Sequence, residues 1–158
     1  MSIVLSILLL FQFTNNTRDF SKENALKTVN ELRAKGCRCG NTYMPPVQSL
    51  QWNNVLEESA MDHAKEMENY HYFSHYGVNG LDIGKRISKY DYPWHFVGEN
   101  IGEGQTNFQQ VFLEWKASET HCKMMMNPKM EDMAVAHFGN YWVQHFGKKI
   151  PKGKKRKE

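Results

Sequence analysis

Between Met133 and Phe146 the chain carries two runs of strand composition, Met133–Phe138 and Tyr141–Phe146, parted by the dipeptide Gly139-Asn140. That pair suits a tight two-residue hairpin, since the favoured hairpin turns need positive φ, which Gly and Asn tolerate. The stretch therefore commits the fold to a small antiparallel sheet.

The segments before it supply helices. SKENALKTVNELRAKG offers Ser21 as a cap, Ala25, Leu26, Val29 and Leu32 at helical spacing, and Gly36 as a stop. Cys37–Pro46 reads as a loop closed by two prolines, and Leu50–Trp52 as a short strand. Asn53 caps a second helix, with Val55, Leu56, Ser59, Ala60, His63, Ala64 and Met67 along one stripe. His63 on that stripe reads as a semi-buried packing histidine rather than a ligand. Asn69–Asn79 is polar and aromatic without helical period, hence a loop, and Asp82–Lys89 can form a short helix capped by Asp82. Asn107 begins a third helix, with Phe108, Val111, Phe112, Trp115, Ser118, His121 and Cys122 on a shared face and Pro128 limiting its length.

With 158 residues and 41% hydrophobic content, these elements suit one domain around one core. The formal charge of +3 is misleading, because residues 148–158 hold 7 of the 20 Lys+Arg; without them 13 basic residues face 16 acidic ones, Glu158 being removed too. The body is mildly acidic, and no nucleic-acid partner is expected. The terminal KGKKRK reads as a solvated, disordered end that could touch an anionic surface.

At the other end, Ile3–Phe13 is an apolar run of 11 residues, too short to span a bilayer and suited to a signal-peptide core. Residues 1–17 are thus read as a leader, which implies a secreted or periplasmic protein. No Lys or Arg precedes the run and no small-x-small site follows it. Export permits a disulfide among Cys37, Cys39 and Cys122, with one thiol left over. Cys37 and Cys39 are too close to bridge easily, so Cys122 pairs with one of them; a metal site is the competing reading, although it lacks paired C-x-x-C spacing.

The stretch VGENIGEGQ at Val97–Gln105 has the glycines of a phosphate loop but not its chemistry. The Lys of G-x-x-x-x-G-K-[ST] is absent, G-x-G-x-x-G spacing is missing, and Glu99 and Glu103 would repel a phosphate. His75 and Glu99 are read as loop residues, whereas Ser118 and His121 lie three apart on one helical face. Two imidazoles and a carboxylate can bind a divalent metal such as zinc or relay a proton. Ser118 as a nucleophile with His121 as base fits poorly, because the G-x-S-x-G elbow is absent. The run Met124–Met126 reads as packing.

Several stretches together, in order, resemble one family: LQWNNVLEESAMDHAKEM, FSH at Phe73–His75, GENIGEGQ at Gly98–Gln105, W-x-x-S-x-x-H at Trp115–His121, Asn127-Pro128 and YWVQHFG at Tyr141–Gly147. This is the CAP superfamily of cysteine-rich secretory, antigen 5 and pathogenesis-related 1 proteins, in its bacterial SCP-like extracellular branch, across roughly residues 23–147. The resemblance implies an α+β fold, an α-β-α sandwich with a small antiparallel sheet between helical layers, over residues 18–147. It also implies a cleft centred on His75 and Glu99. Where eukaryotic-type members add a Glu after the helix-three tryptophan, this chain has Ser118; the strand segment G-H-[FY]-T-x-x-x-W, carrying a second His, is missing. The bacterial-type pattern offers His121, giving a cleft of His75, Glu99 and His121 lined by Ser118. HCKMMMNP also lacks the Asn expected three residues after His121.

The same resemblance implies a bridge from helix three to the first loop, joining Cys122 to Cys37 or Cys39. Closing a loop of roughly 85 residues stabilises by about 4 kcal/mol in the chain-entropy model. For function, the expectation is a non-enzymatic module binding a small or lipidic ligand or a protein surface, with a divalent metal as a candidate cofactor. A peptidase-like hydrolase using Glu99 with His75 or His121 is the alternative, and a purely structural role for the cleft residues is the third reading.

Overall fold

The computed structural model describes residues 20–151 and 153; the expected leader at 1–17 and most of the basic tail lie outside them. Helix α1 spans Lys22–Lys35, with the Ser21 side chain accepting from the Asn24 amide, and ends at Gly36, whose φ of 70° suits glycine. The segment Cys37–Pro46, expected as a loop, folds into a hairpin of β1, Cys37–Cys39, and β2, Thr42–Met44. Strand β3 is Gln51–Trp52. Helix α2, Asn54–Tyr70, starts at Asn53, which accepts from the amides of Val55 and Leu56. Helix α3, Ile83–Ile87, is capped by Asp82.

The largest departure follows. VGENIGEGQ, expected as a loop, lies mostly in β4, Trp94–Glu103. Its glycines obscure the strand pattern, and they are there for packing. A Cβ at Gly102 would come within 2.6 Å of Val111 Cγ2, and one at Gly98 would run into the Met124 side chain. The expected third helix is two helices, α4, Phe108–Ala117, and α5, Glu119–Met125, separated at Ser118, which is extended at φ −77° and ψ 126°. Ser118 and His121 therefore do not share one continuous helical face. Strands β5, Asp132–Phe138, and β6, Tyr141–Lys149, form the expected hairpin around Gly139, at φ 56°. Strand β6 carries on through Lys148 and Lys149, two residues into the segment expected as a tail, pairing them with Phe96 and Trp94 of β4.

The main sheet has the order β3-β5-β6-β4; β3 runs parallel to β5 and the other pairs are antiparallel. Alternation along the strands divides it into two packed faces. On one, Ile101, Val143, Tyr141 and Ala136 meet Ala60, Ala64 and Met67 of α2. Small residues on both sides let helix and sheet approach closely. On the other, Val135, Trp142 and Phe146 pack with α1, α4 and α5 through Val29, Phe112, Trp115, Cys122 and Met125. The result is helix, sheet, helix: the α-β-α sandwich. Strand β4 lies at the sheet edge, so side chains from both helical layers can meet across it.

Candidate functional site

Glu99 and His145 are direct cross-strand partners in the β4–β6 ladder. Period-two alternation points both toward α2, alongside Ile101 and Val143. The Glu99 carboxylate, with a side chain only 2% exposed, is bonded on both oxygens. His75 Nδ1 lies 2.8 Å from Oε1, and His145 Nε2 lies 2.9 Å from Oε2. Arg86, from α3, donates to Oε2 as well. Arg86 also donates to the carbonyls of His75, at 2.6 Å, and Leu81, at 3.1 Å, so it fixes the loop that carries His75. His63 of α2 completes the surroundings: its Nε2 is 3.0 Å from Ser74 O and 3.9 Å from Glu99 Oε2. Since a carbonyl only accepts, that nitrogen carries the proton.

The electrostatics follow from this packing. Burial alone would raise the Glu99 carboxyl, but hydrogen bonds from His145 and His75, with the charges of His145 and Arg86, outweigh it and hold the group well below the usual carboxylate range. Burial lowers His63, and Glu99 opposes that shift only in part. Burial, then the neighbouring His75, lowers His121.

His75 and His121 reach the same place from opposite layers. A cavity of about 310 Å³ opens at the β4 edge, lined by Phe73, Ser74, His75, Tyr76, Ile101 and His121. The His75 side chain is 51% exposed, and with Nδ1 on Glu99 its Nε2 is the ring nitrogen left for a ligand. Phe73 and Tyr76 are exposed at the rim, Phe73 stacking on Tyr141 at 6.3 Å. Behind His121, Asn100 Nδ2 donates to the His121 carbonyl at 3.2 Å and to Gln144 Oε1 at 3.0 Å. Asn100–Gln144 is the next cross-strand pair, facing α5. It gives α5 a polar tether in place of the Asn missing after His121.

Of the four residues expected in the cleft, His75, Glu99 and His121 are grouped, with Glu99 behind His75 rather than beside His121. Ser118 is absent from the cavity wall, its Oγ lying 3.3 Å from Thr120 Oγ1 at the helix break. Arg86 and His145 were not expected. The cross-strand register of β4 and β6 would have found His145, but reading VGENIGEGQ as a loop hid it. Nothing local in DIGKRI marks Arg86. A larger hollow of about 530 Å³, lined by Ala34, Pro46, Val47, Gln48, Ser49 and Pro128, holds no ionisable side chain and offers no comparable chemistry.

On the other side of α5, Cys39 and Cys122 form a disulfide with Cα atoms 5.4 Å apart, which resolves the open pairing. Cys37 is a free, partly exposed thiol. The three sulfurs lie within 4.8 Å of one another.

Comparison with known proteins agrees with this architecture. The chain is 28% identical over 102 residues to YkwD of Bacillus subtilis (strain 168), covering 63% of this chain and 40% of that protein. It is 26% identical over 129 residues to the membrane protein YlbC of the same organism, covering 82% and 35%. The chain thus spans about two fifths or less of the length of these relatives. In fold it is similar to an outer surface protein of Borrelia burgdorferi, with a TM-score of 0.70, 20% identity and coverage of 81% and 92%. It is also similar to an extracellular SCP-domain protein of Bacillus anthracis, with a TM-score of 0.66, 20% identity and coverage of 81% and 41%. Among the described residues no helix is long and apolar enough to cross a membrane. The family model of the cysteine-rich secretory proteins matches residues 26–146, and the chain belongs to this CAP family.

Proposed function

We propose that the protein is a secreted CAP-domain binding module without bond-breaking chemistry of its own. Its edge-strand cleft takes a small or lipidic ligand between Phe73, Tyr76 and Ile101, and presents His75 and His121 to it. The observation that carries this reading is the saturation of Glu99: both carboxylate oxygens are held by protein donors. A carboxylate so engaged is an anchor. It orients the His75 ring and fixes its tautomer, as a carboxylate behind a metal-bound histidine does.

A divalent cation such as zinc fits two imidazoles facing one cavity, particularly with His121 held neutral by burial. His75 Nε2 and His121 would hold it, Glu99 acting through His75, and it would supply a Lewis-acid contact for an anionic or carbonyl group of the ligand. The hydrolase reading is disfavoured. A general base works best with a pKa near the working pH, and Glu99 is held far below it. Ser118, the nucleophile considered, stands outside the cavity.

Isothermal titration of Zn²⁺ into tag-free protein tests this directly. The wild type is expected to bind one equivalent, and His75→Ala/His121→Ala to lose it; equal binding by the double variant would remove the metal from the proposal. Turnover of ester or peptide substrates that disappears in Glu99→Gln would instead favour the hydrolase.

A further inference from the structure

The odd cysteine is placed where it can act. Cys39 and Cys122, which form the disulfide, are both fully buried, whereas Cys37 is partly exposed. Cys37 Sγ lies 3.6 Å from Cys122 Sγ and 3.8 Å from Cys39 Sγ. Strand β1 holds Cys37 and Cys39 two residues apart, and α5 brings Cys122 against them. A solvent thiol cannot reach the buried sulfurs, but the Cys37 sulfur is already in contact with one of them.

We propose that Cys37 is an exchange thiol, the port through which the buried Cys39–Cys122 disulfide is made and broken by external thiols and small disulfides of the glutathione type. In the reducing direction the Cys37 thiolate attacks Cys122 Sγ. A Cys37–Cys122 bond forms, the Cys39–Cys122 bond breaks, and Cys39 leaves as a thiolate that takes up a proton. The bridge now includes the partly exposed sulfur. An external thiolate attacks Cys37 Sγ, Cys122 leaves and is protonated, and a second external thiol displaces Cys37, giving one external disulfide. Two external thiols are oxidised and one protein disulfide is reduced. The oxidising direction reverses each step, starting from an external disulfide at Cys37. Exchange proceeds by thiolate attack on sulfur, so it needs this contact and no further cofactor. Cys122, rather than Cys39, is the sulfur attacked, because it is nearer and because a bridge between two residues of one short strand is harder to close.

The test uses the full chain with its disulfide formed. Reduction by glutathione is followed by quenching with iodoacetamide and peptide mass spectrometry. Cys37→Ser is expected to slow loss of the Cys39–Cys122 bridge about 10-fold or more, with its melting temperature unchanged. Equal rates in the two proteins would overturn the proposal. A second variant is independent of that comparison. Cys39→Ala, oxidised with glutathione disulfide, is expected to yield the Cys37–Cys122 bridge; recovery of both as free or glutathione-capped thiols would overturn it as well.

Discussion

Each face of the sheet buries an arginine, and the two are satisfied in different ways. Arg33 of α1, fully buried, is held by main-chain carbonyls: Gln48 at 2.8 Å, Met125 at 2.6 Å, Asn127 at 3.1 Å and Met130 at 3.5 Å. Burial pulls its guanidinium down to about 10, which leaves it charged at neutral pH. Arg86 also binds carbonyls through Nη1, but its Nη2 meets the Glu99 carboxylate, which in turn holds two histidines. The first arrangement ties α1 to the α5–β5 connection and contains no second ionisable group. The second joins a cation to titratable side chains that end in an open cavity. A buried charge closed by carbonyls serves the fold; one closed through a carboxylate and imidazoles can serve a ligand.

Arg33→Ala leaves several buried carbonyls without a donor and is expected to cost about 4 kcal/mol, with Arg33→Lys failing to restore it, because one ammonium cannot reproduce the guanidinium fork. Denaturant unfolding measures both. Cys122→Ala is expected to lose a similar amount, about 4 kcal/mol, through the bridge closed over a sequence separation of 83 residues. Arg86→Ala leaves Glu99 buried beside fewer donors and is expected to cost about 3 kcal/mol. If it costs nothing, the Arg86–Glu99 pair does not anchor this face. His75→Ala, at a half-exposed position, is expected to stay within about 1 kcal/mol of the wild type while losing ligand or metal binding. A large fall in melting temperature would make His75 part of the scaffold.

On the Glu99 face, acid acts through two groups. Glu99 has a folded value below its ordinary 4.5, so its contribution to stability is present above that pH and is lost as pH falls through the window beneath it. His63 has a folded value below its ordinary 6.5, so the unfolded chain binds the proton first and stability begins to fall as pH drops below about 6.5. Melting curves from pH 8 to 2 should show both limbs, with Glu99→Gln flattening the lower one. Arg33 has no such partner, and Arg33 variants should keep the wild-type acid profile at lower stability throughout.

Much of this molecule is legible in its sequence, and what is hidden has physical causes. Caps at Ser21, Asn53, Asp82 and Asn107 locate four helix starts, because their side chains bond nearby amides. The Gly139-Asn140 hairpin is equally local. Strand β4 is hidden because Gly98 and Gly102, which read as loop residues, are small to admit Met124 and Val111. Losing β4 loses its register with β6, and with it the pairing of Glu99 to His145. The break at Ser118 is also unmarked by any proline or glycine. His75 and His121 were legible through family resemblance, whereas Arg86 reaches Glu99 only through the path of the loop between α2 and α3.

In the proposed function Glu99 anchors His75 and is not itself the group that meets the ligand. A crystal structure of the tag-free protein soaked with zinc, with the metal located by anomalous scattering, tests it most directly. Zinc is expected on His75 Nε2 and His121, with Glu99 still bonded to His75, Arg86 and His145. Zinc coordinated by a Glu99 oxygen, with Arg86 or His145 displaced from it, would make Glu99 a ligand-binding group and not an anchor.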